Sequence, residues 1–145
     1  MTCTFFGHRN APQSIEDNLR SVLIDLIKNK GVDNFYVGNQ GEFDSMVKLN
    51  LKRLAAIYPH IKYAVVLACL PTSNKEFACF DYSYTIFPDG MENVPPRFAI
   101  DMRNRWIIEI SEYVVVYVRQ TLDGAAKFKS LAEKKKRTVI NLADK

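Results

Sequence analysis

Two short, almost unbroken apolar runs constrain this chain more than any other feature. Residues 63–70 read Tyr-Ala-Val-Val-Leu-Ala-Cys-Leu, between Lys62 and Pro71, and residues 113–118 read Tyr-Val-Val-Val-Tyr-Val. A strand with one wet face alternates apolar and polar residues. A strand that is apolar at every position has no wet face, which is the pattern of a parallel sheet covered on both sides.

Three further strand-like segments fit such a sheet. Thr2 to Phe6 ends at Gly7, Asn34 to Val37 closes at Gly38, and Thr138 to Leu142 comes last. Helical periodicity fills the gaps. Ile15, Leu19, Val22, Leu23, Leu26 and Ile27 recur at helical spacing before Gly31, and Phe43, Met46, Val47, Leu49, Leu51, Leu54 and Ala55 do so before Pro59. Pro96 suits the first turn of a helix whose apolar face would be Phe98, Met102, Trp106, Ile107 and Ile110. Gly124 to Lys135 forms another, with Ala126, Phe128, Leu131 and Ala132 inward. Strands and helices alternate five times. The expected fold is α/β: a Rossmann-like three-layer α/β/α sandwich around a mostly parallel five-stranded sheet with right-handed crossovers. Turn signals at Pro88-Asp89-Gly90 and Pro95-Pro96 make residues 72–96 the least regular stretch, and residues 80–95 predict an extra strand or a lid. The 145 residues read as a single domain, 1–145.

Composition narrows the function. Hydrophobic residues make up 48% of the chain and charged residues 25%, as in a folded soluble protein. No apolar run approaches the ~20 residues that span a bilayer, and the N-terminus lacks a signal-type pattern; a cytoplasmic protein with no membrane partner is expected. Cys3, Cys69 and Cys79 are odd in number and not closely spaced, which argues against a disulfide framework or a zinc site. The net charge is +4, and the basic residues cluster only at Lys134-Lys135-Lys136-Arg137. That cluster reads as a solvated helix end, where cations suit the helix dipole, so a nucleic-acid partner is not expected.

Ligands of open α/β sheets bind at the carboxyl ends of the strands. Gly7, His8 and Arg9 follow the first strand. Gly7 permits close approach of backbone to ligand, and Arg9 offers a fork of donors for phosphate or carboxylate. Gly38, Asn39, Gly41, Phe43 and Asp44 follow the second strand and run straight into a helix, whose N-terminus favours anions. Thr121 to Gly124 follow the fourth. Two readings of His8 stay open: a ligand contact or general acid/base, or a cap on the strand end. Asp44 either complements the helix dipole or contacts ribose hydroxyls or an amine. Arg103 and Asn104 flank an apolar stripe and could reach the cleft edge. Arg105, four residues before Glu109, reads as a surface ion pair, and Trp106 as core. The chain lacks a Ser-His-Asp arrangement, a metal-ligand cluster, a Walker-type loop and the full Gly-x-Gly-x-x-Gly fingerprint. No cofactor is expected.

Taken together, Phe5-Phe6-Gly7-His8-Arg9, Gly38-x-x-Gly41-x-Phe43-Asp44, Arg103-Asn104-Arg105-Trp106 and Gly124-Ala125 resemble the SLOG superfamily. It groups the DNA-processing protein DprA with the LOG phosphoribohydrolases. The likeness runs from Thr4 to Leu142 and is greatest to the small bacterial and phage proteins related to YpsA and YoqJ. It implies a Rossmann-like sheet, a nucleotide site and a tendency to assemble. The Pro-Gly-Gly-x-Gly-Thr-x-x-Glu motif of LOG enzymes is absent, and Asp123 stands where relatives of this branch carry the first of two glycines. A carboxylate there repels phosphate.

The expected function is therefore binding of a nucleotide or nucleotide-derived small molecule, as a sensor or sequestering protein rather than an enzyme. Arg9 and the Gly38–Gly41 turn would hold phosphate. His8 and Asp44 would contact base or ribose. Arg103, Asn104 and Gly124 would line the rim, and Tyr82 or Tyr84 would stack as a lid. The alternatives are hydrolysis of an N-glycosidic bond with Asp44 or Glu42 as acid/base, and a DprA-like role on single-stranded DNA. A homo-oligomer is allowed.

Overall fold

The structure, a computed structural model, describes residues 1–8, 10–38, 41–67, 85, 86, 88, 90–119 and 124–143. Its strands are β1 (Thr2–Gly7), β2 (Asn34–Val37), β3 (Lys62–Val66), β4 (Thr85–Ile86), β5 (Tyr113–Tyr117) and β6 (Thr138–Asn141). Its helices are α1 (Glu16–Asn29), α2 (Gly41–Ile57), α3 (Pro96–Glu109) and α4 (Gly124–Lys134), with single 3-10 turns at Gln13–Ile15 and Met91–Asn93.

All six strands pair in parallel, in the order β4-β3-β2-β1-β5-β6. Beside the five expected strands stands a sixth, Thr85–Ile86, paired with Val65 and Val66, within residues 80–95 where the sequence predicts an extra strand or a lid. The first apolar run yields a shorter strand than predicted: β3 ends at Val66, and residues 68–70 lie outside the described residues.

The strand order locates the site. From β1 the chain steps outward through β2, β3 and β4, then returns to lay β5 on the other side of β1. Connections leave β1 and β5 in opposite directions, so a crevice opens between them at their carboxyl ends. The helices divide accordingly. α1 and α2 pack Leu19, Leu23, Val47 and Leu51 onto Phe5, Phe35, Val37 and Val115. α3 and α4 pack Ile107, Ile108, Phe128 and Ala132 onto Phe6, Val66, Val114 and Val116 on the other face. Two buried clusters on either side of one sheet make the three layers.

α3 departs from its predicted face. Ala99, Arg103, Asn104, Ile107 and Ile108 are buried, whereas Phe98, Met102 and Ile110 are exposed and Trp106 is half-buried against Tyr36. The helix is rotated because its inward side lies over the carboxyl ends of the strands, where polar groups find partners, as buried polar groups must. Arg105 pairs with Asp101 at 2.7 Å, not with Glu109. Glu109 is taken by Lys135 at 2.5 Å, while Arg137 donates to the Glu109 carbonyl at 3.0 Å. Part of the basic cluster thus caps the carboxyl end of a neighbouring helix. α2 differs in detail: Leu49 is exposed, and Asn50 is buried in its place, donating to the Met46 carbonyl.

No described helix is long and apolar enough to cross a membrane.

Candidate functional site

The site begins with a steric fact at the end of β1. A Cβ on Gly7 would stand 2.4 Å from the Phe43 ring. The first turn of α2 therefore presses directly on the end of β1. Phe43 is fully buried there and stacks on Tyr117 at 6.3 Å between centroids. Gly7 thus lets α2 and the sheet close together, while Phe43 lies beneath the cleft as its support.

His8 ties β1 to β5. Its backbone N–H donates to the Tyr117 carbonyl at 3.2 Å. Its Nε2 accepts the Arg119 backbone N–H at 2.7 Å, and its ring stands edge-on to Tyr117. The strand-end cap is thus present in the geometry. With its Nε2 lone pair engaged, a neutral His8 carries its proton on Nδ1. Asn141 secures β5 from the other side. Its Oδ1 accepts the Val118 N–H at 3.1 Å, and its Nδ2 donates to the Val118 carbonyl at 3.0 Å. A side-chain amide here continues the β5–β6 pairing one residue beyond the sheet. The loop that leads to Gly124 therefore starts from a backbone held on both sides.

Gly38 ends β2, and two opposite charges border it. A Cβ at Gly38 would lie 2.9 Å from Asp44 Oδ2 and 3.1 Å from Arg103 Nη2. Both residues are buried, at 7% and 3% exposure. Arg103 is not at the cleft edge as expected but under it. Its Nη1 donates to the Val66 carbonyl at 3.3 Å and its Nε to Asn104 Oδ1 at 3.0 Å. That contact turns the Asn104 carboxamide so that Oδ1 faces the guanidinium, and Asn104 is itself 5% exposed.

These groups enclose a pocket of about 150 Å³. Gly7, Gly38, Asp44, Arg103, Asn104 and Gly124 line it, so six of the residues singled out in the sequence meet around one cavity. Phe5, Phe6, Ile100, Ala125 and Phe128 complete the lining. None of these five was expected in the site: Phe5 and Phe6 read as the end of the first strand, Phe128 as the inward face of its helix, and Ile100 carried no signal. Ala125 stood beside Gly124 and could have been found by its place in the first turn of α4.

Other expected site residues lie elsewhere. Gly41 opens α2 with φ +88°, a left-handed conformation that favours glycine. It lines a separate open groove of about 720 Å³ with Asn10, Gln13 and Glu42. Glu42 Oε2 accepts the Ala11 N–H at 3.2 Å and so ties down the loop after β1. Arg9, Asn39, Tyr82, Tyr84 and Asp123 lie outside the described residues, as do Cys69 and Cys79.

The pocket mixes aromatic and aliphatic walls with a carboxylate, a guanidinium and a carboxamide, and it opens at the N-terminus of α4. Such a set can hold a planar or sugar-like group by its polar edge, with an anion near the helix N-terminus. A volume of about 150 Å³ has room for one small ring-sized group.

Neither a family model nor a curated protein matches the sequence. Solved structures do match the fold. DNA processing protein A of Helicobacter pylori, whose structure describes a single-stranded DNA binding mode, is similar over 97% of this chain and 64% of that one, with 15% identity and a TM-score of 0.67. DNA processing protein A (DprA) of Streptococcus pneumoniae is similar over 97% of this chain and 49% of that one, with 18% identity and a TM-score of 0.67. The chain thus spans less than two thirds of the length of either. At these identities the likeness shows a shared Rossmann-like fold.

Proposed function

We propose that this chain binds a nucleotide or nucleotide-derived small molecule at the crevice between β1 and β5. One observation carries the reading: Gly7, Gly38, Asp44, Arg103, Asn104 and Gly124 come from four elements and the turn after β2 and line one pocket at the topological switch point. Nucleotides bind at that place in this class of sheet. Asp44 and Asn104 offer an acceptor and a donor for the polar edge of a base or ribose. Arg9 and the turn between Gly38 and Gly41 remain the proposed phosphate contacts. Of the two acid/base candidates for hydrolysis, Glu42 is engaged with the Ala11 N–H and lines the separate groove, while Asp44 lines the pocket, so the fate of the bound ligand separates binding from cleavage.

Thermal unfolding across a panel of mononucleotides, cyclic nucleotides and dinucleotides tests this, because a ligand that binds only the folded state raises the midpoint. At least one should raise it, and intact ligand should be recovered after long incubation. A Gly124→Phe variant should lose the shift. A Cβ at position 124 meets no atom within 4 Å among the described residues, so the ring can block the pocket without disturbing the core. No shift with any nucleotide would defeat the reading.

A second reading is binding of single-stranded DNA, supported by the fold shared with the Helicobacter pylori protein. It predicts a gel shift with an oligonucleotide that weakens steeply with salt, as phosphate contacts do, and that survives an excess of free nucleotide.

A further inference from the structure

α3 and α4 lie side by side on one face of the sheet, joined by the Lys127–Asp101 and Lys135–Glu109 ion pairs. Their outer surface is apolar and basic at once. Phe98 and Met102 stand one turn apart on the side of α3 away from the core, 49% and 46% exposed, and Ile110 just past the helix is exposed as well. Seven cations accompany them: Arg97 and Arg105 on α3, Lys127 and Lys134 on α4, and Lys135, Lys136 and Arg137 after it. Two carboxylates answer them. Asp101 is shared by Arg105 and Lys127, and Glu109 by Lys135 and Arg137, so each neutralises one cation of its two. Arg97, Lys134 and Lys136 have no carboxylate partner among the described residues. Lys129 and Glu133 pair with each other and cancel. Seven cations against two carboxylates leave five charges in excess, whereas the chain's net charge is +4. The whole positive excess of the molecule therefore lies on this surface.

Exposed apolar side chains grouped together and rimmed by charge mark an interaction surface, and the sign of the excess says that the partner is acidic. A second copy would bring the same positive charge and be repelled. A continuous polyanion fits poorly, because a phosphate backbone or an anionic bilayer laid over this surface meets Asp101 and Glu109 within it. Bases also stack on aromatic rings, and Phe98, the one large exposed aromatic among the described residues, already has the Arg97 guanidinium 4.8 Å over its ring. Met102 and Ile110 are aliphatic, and methionine adapts its shape to varied side chains, as peptide-binding surfaces exploit. A discrete segment can place its carboxylates where the free cations are and avoid the two acids. We propose that the outer face of α3 and α4 docks an acidic amphipathic segment of another protein, with its apolar side chains on Phe98 and Met102 and its carboxylates on Arg97, Lys134 and Lys136.

Selection of a displayed library of random peptides on the immobilised full chain tests this. The enriched peptides should be acidic, carry apolar residues at helical spacing, and bind less tightly as salt rises. By fluorescence anisotropy, their affinity should fall at least about tenfold for Met102→Glu, the loss of a central apolar anchor. A double variant, Arg97→Gln with Lys134→Gln, should bind more weakly at low salt and show a flatter salt dependence. Both variants should keep the wild-type unfolding midpoint, since all three side chains are exposed. A selection that enriches no peptide would overturn the proposal, as would enriched peptides that are neutral or basic, or that bind Met102→Glu as tightly as the wild type. Three other occupants would show themselves by a signal present in the wild type and lost in Met102→Glu: retention of a single-stranded oligonucleotide, retention of anionic phospholipid vesicles, or a sedimenting mass that doubles with concentration. Any of these would also overturn it.

Discussion

Gly7 has no room for a side chain, and that single contact sets the depth of the cleft. Replacing it with alanine drives a Cβ into the Phe43 ring at 2.4 Å. Gly7→Ala should cost about 1–3 kcal/mol, the usual range for overpacking. Phe43→Ala should cost about 3–5 kcal/mol. Because the two residues share one contact, the double variant should cost less than the sum, and denaturant titration of the four proteins checks this. The sequence marked Gly7 as a place where backbone approaches something closely. What approaches is the protein's own ring, and no local pattern could say so, because the contact joins β1 to a helix across a strand. Cys3 is simpler. It lies fully buried in β1, and burial pushes its thiol far above the ordinary range. It should resist alkylation in the native protein and react on unfolding, as mass spectrometry of labelled peptides would show.

At the scale of elements, α3 and the end of β5 carry most of the information. Periodicity predicted α3 and set Ile107 inward, where it is buried, but it set Phe98, Met102 and Ile110 inward too, and these are exposed. Apolar residues occur on both sides of this helix, so hydrophobicity alone could not choose the buried one. What decides is Arg103 and Asn104, which find partners only over the strand ends and so turn the helix inward there. β2, by contrast, has the bounds the sequence predicted, since Gly38 stops it where its role as a charge-bordered turn begins. Asn141 was read as an ordinary strand residue. Its amide holds both backbone groups of Val118. Asn141→Asp keeps the acceptor but replaces the donor with an oxygen facing the Val118 carbonyl. It should lose about 1–3 kcal/mol, and amide exchange at Val118 and Arg119 should accelerate.

For the whole molecule, the parallel three-layer architecture was legible because strands buried on both faces leave few alternatives. The strand order was not, since pairing joins residues far apart in sequence. Yet that order puts Gly7, Gly38 and Gly124 around one crevice. Half of the expected site therefore converges, while Gly41 and Glu42 face a groove of their own. Surface ion pairs also act at this scale. The N-terminal ammonium holds Asp33 below its ordinary value of 3.8, Lys127 and then Arg105 hold Asp101 below 3.8, and Lys135 holds Glu109 below 4.5. A carboxylate whose pKa falls on folding stabilises the native state above its unfolded value and loses that contribution as pH drops through its folded one. The unfolding midpoint should therefore decline below about pH 4, less steeply in Asp101→Asn and less in high salt. Nucleotide entry into the crevice between β1 and β5, as proposed above, can be followed directly. The most direct measurement is a titration of the 15N-labelled protein with the nucleotide that most raises the unfolding midpoint, following backbone amides by NMR. The largest shifts should fall at Gly7, Gly38, Asn104 and Gly124 and saturate together; shifts centred elsewhere, for example on Lys52 and Lys62 around the groove at the start of β3, would contradict nucleotide entry there.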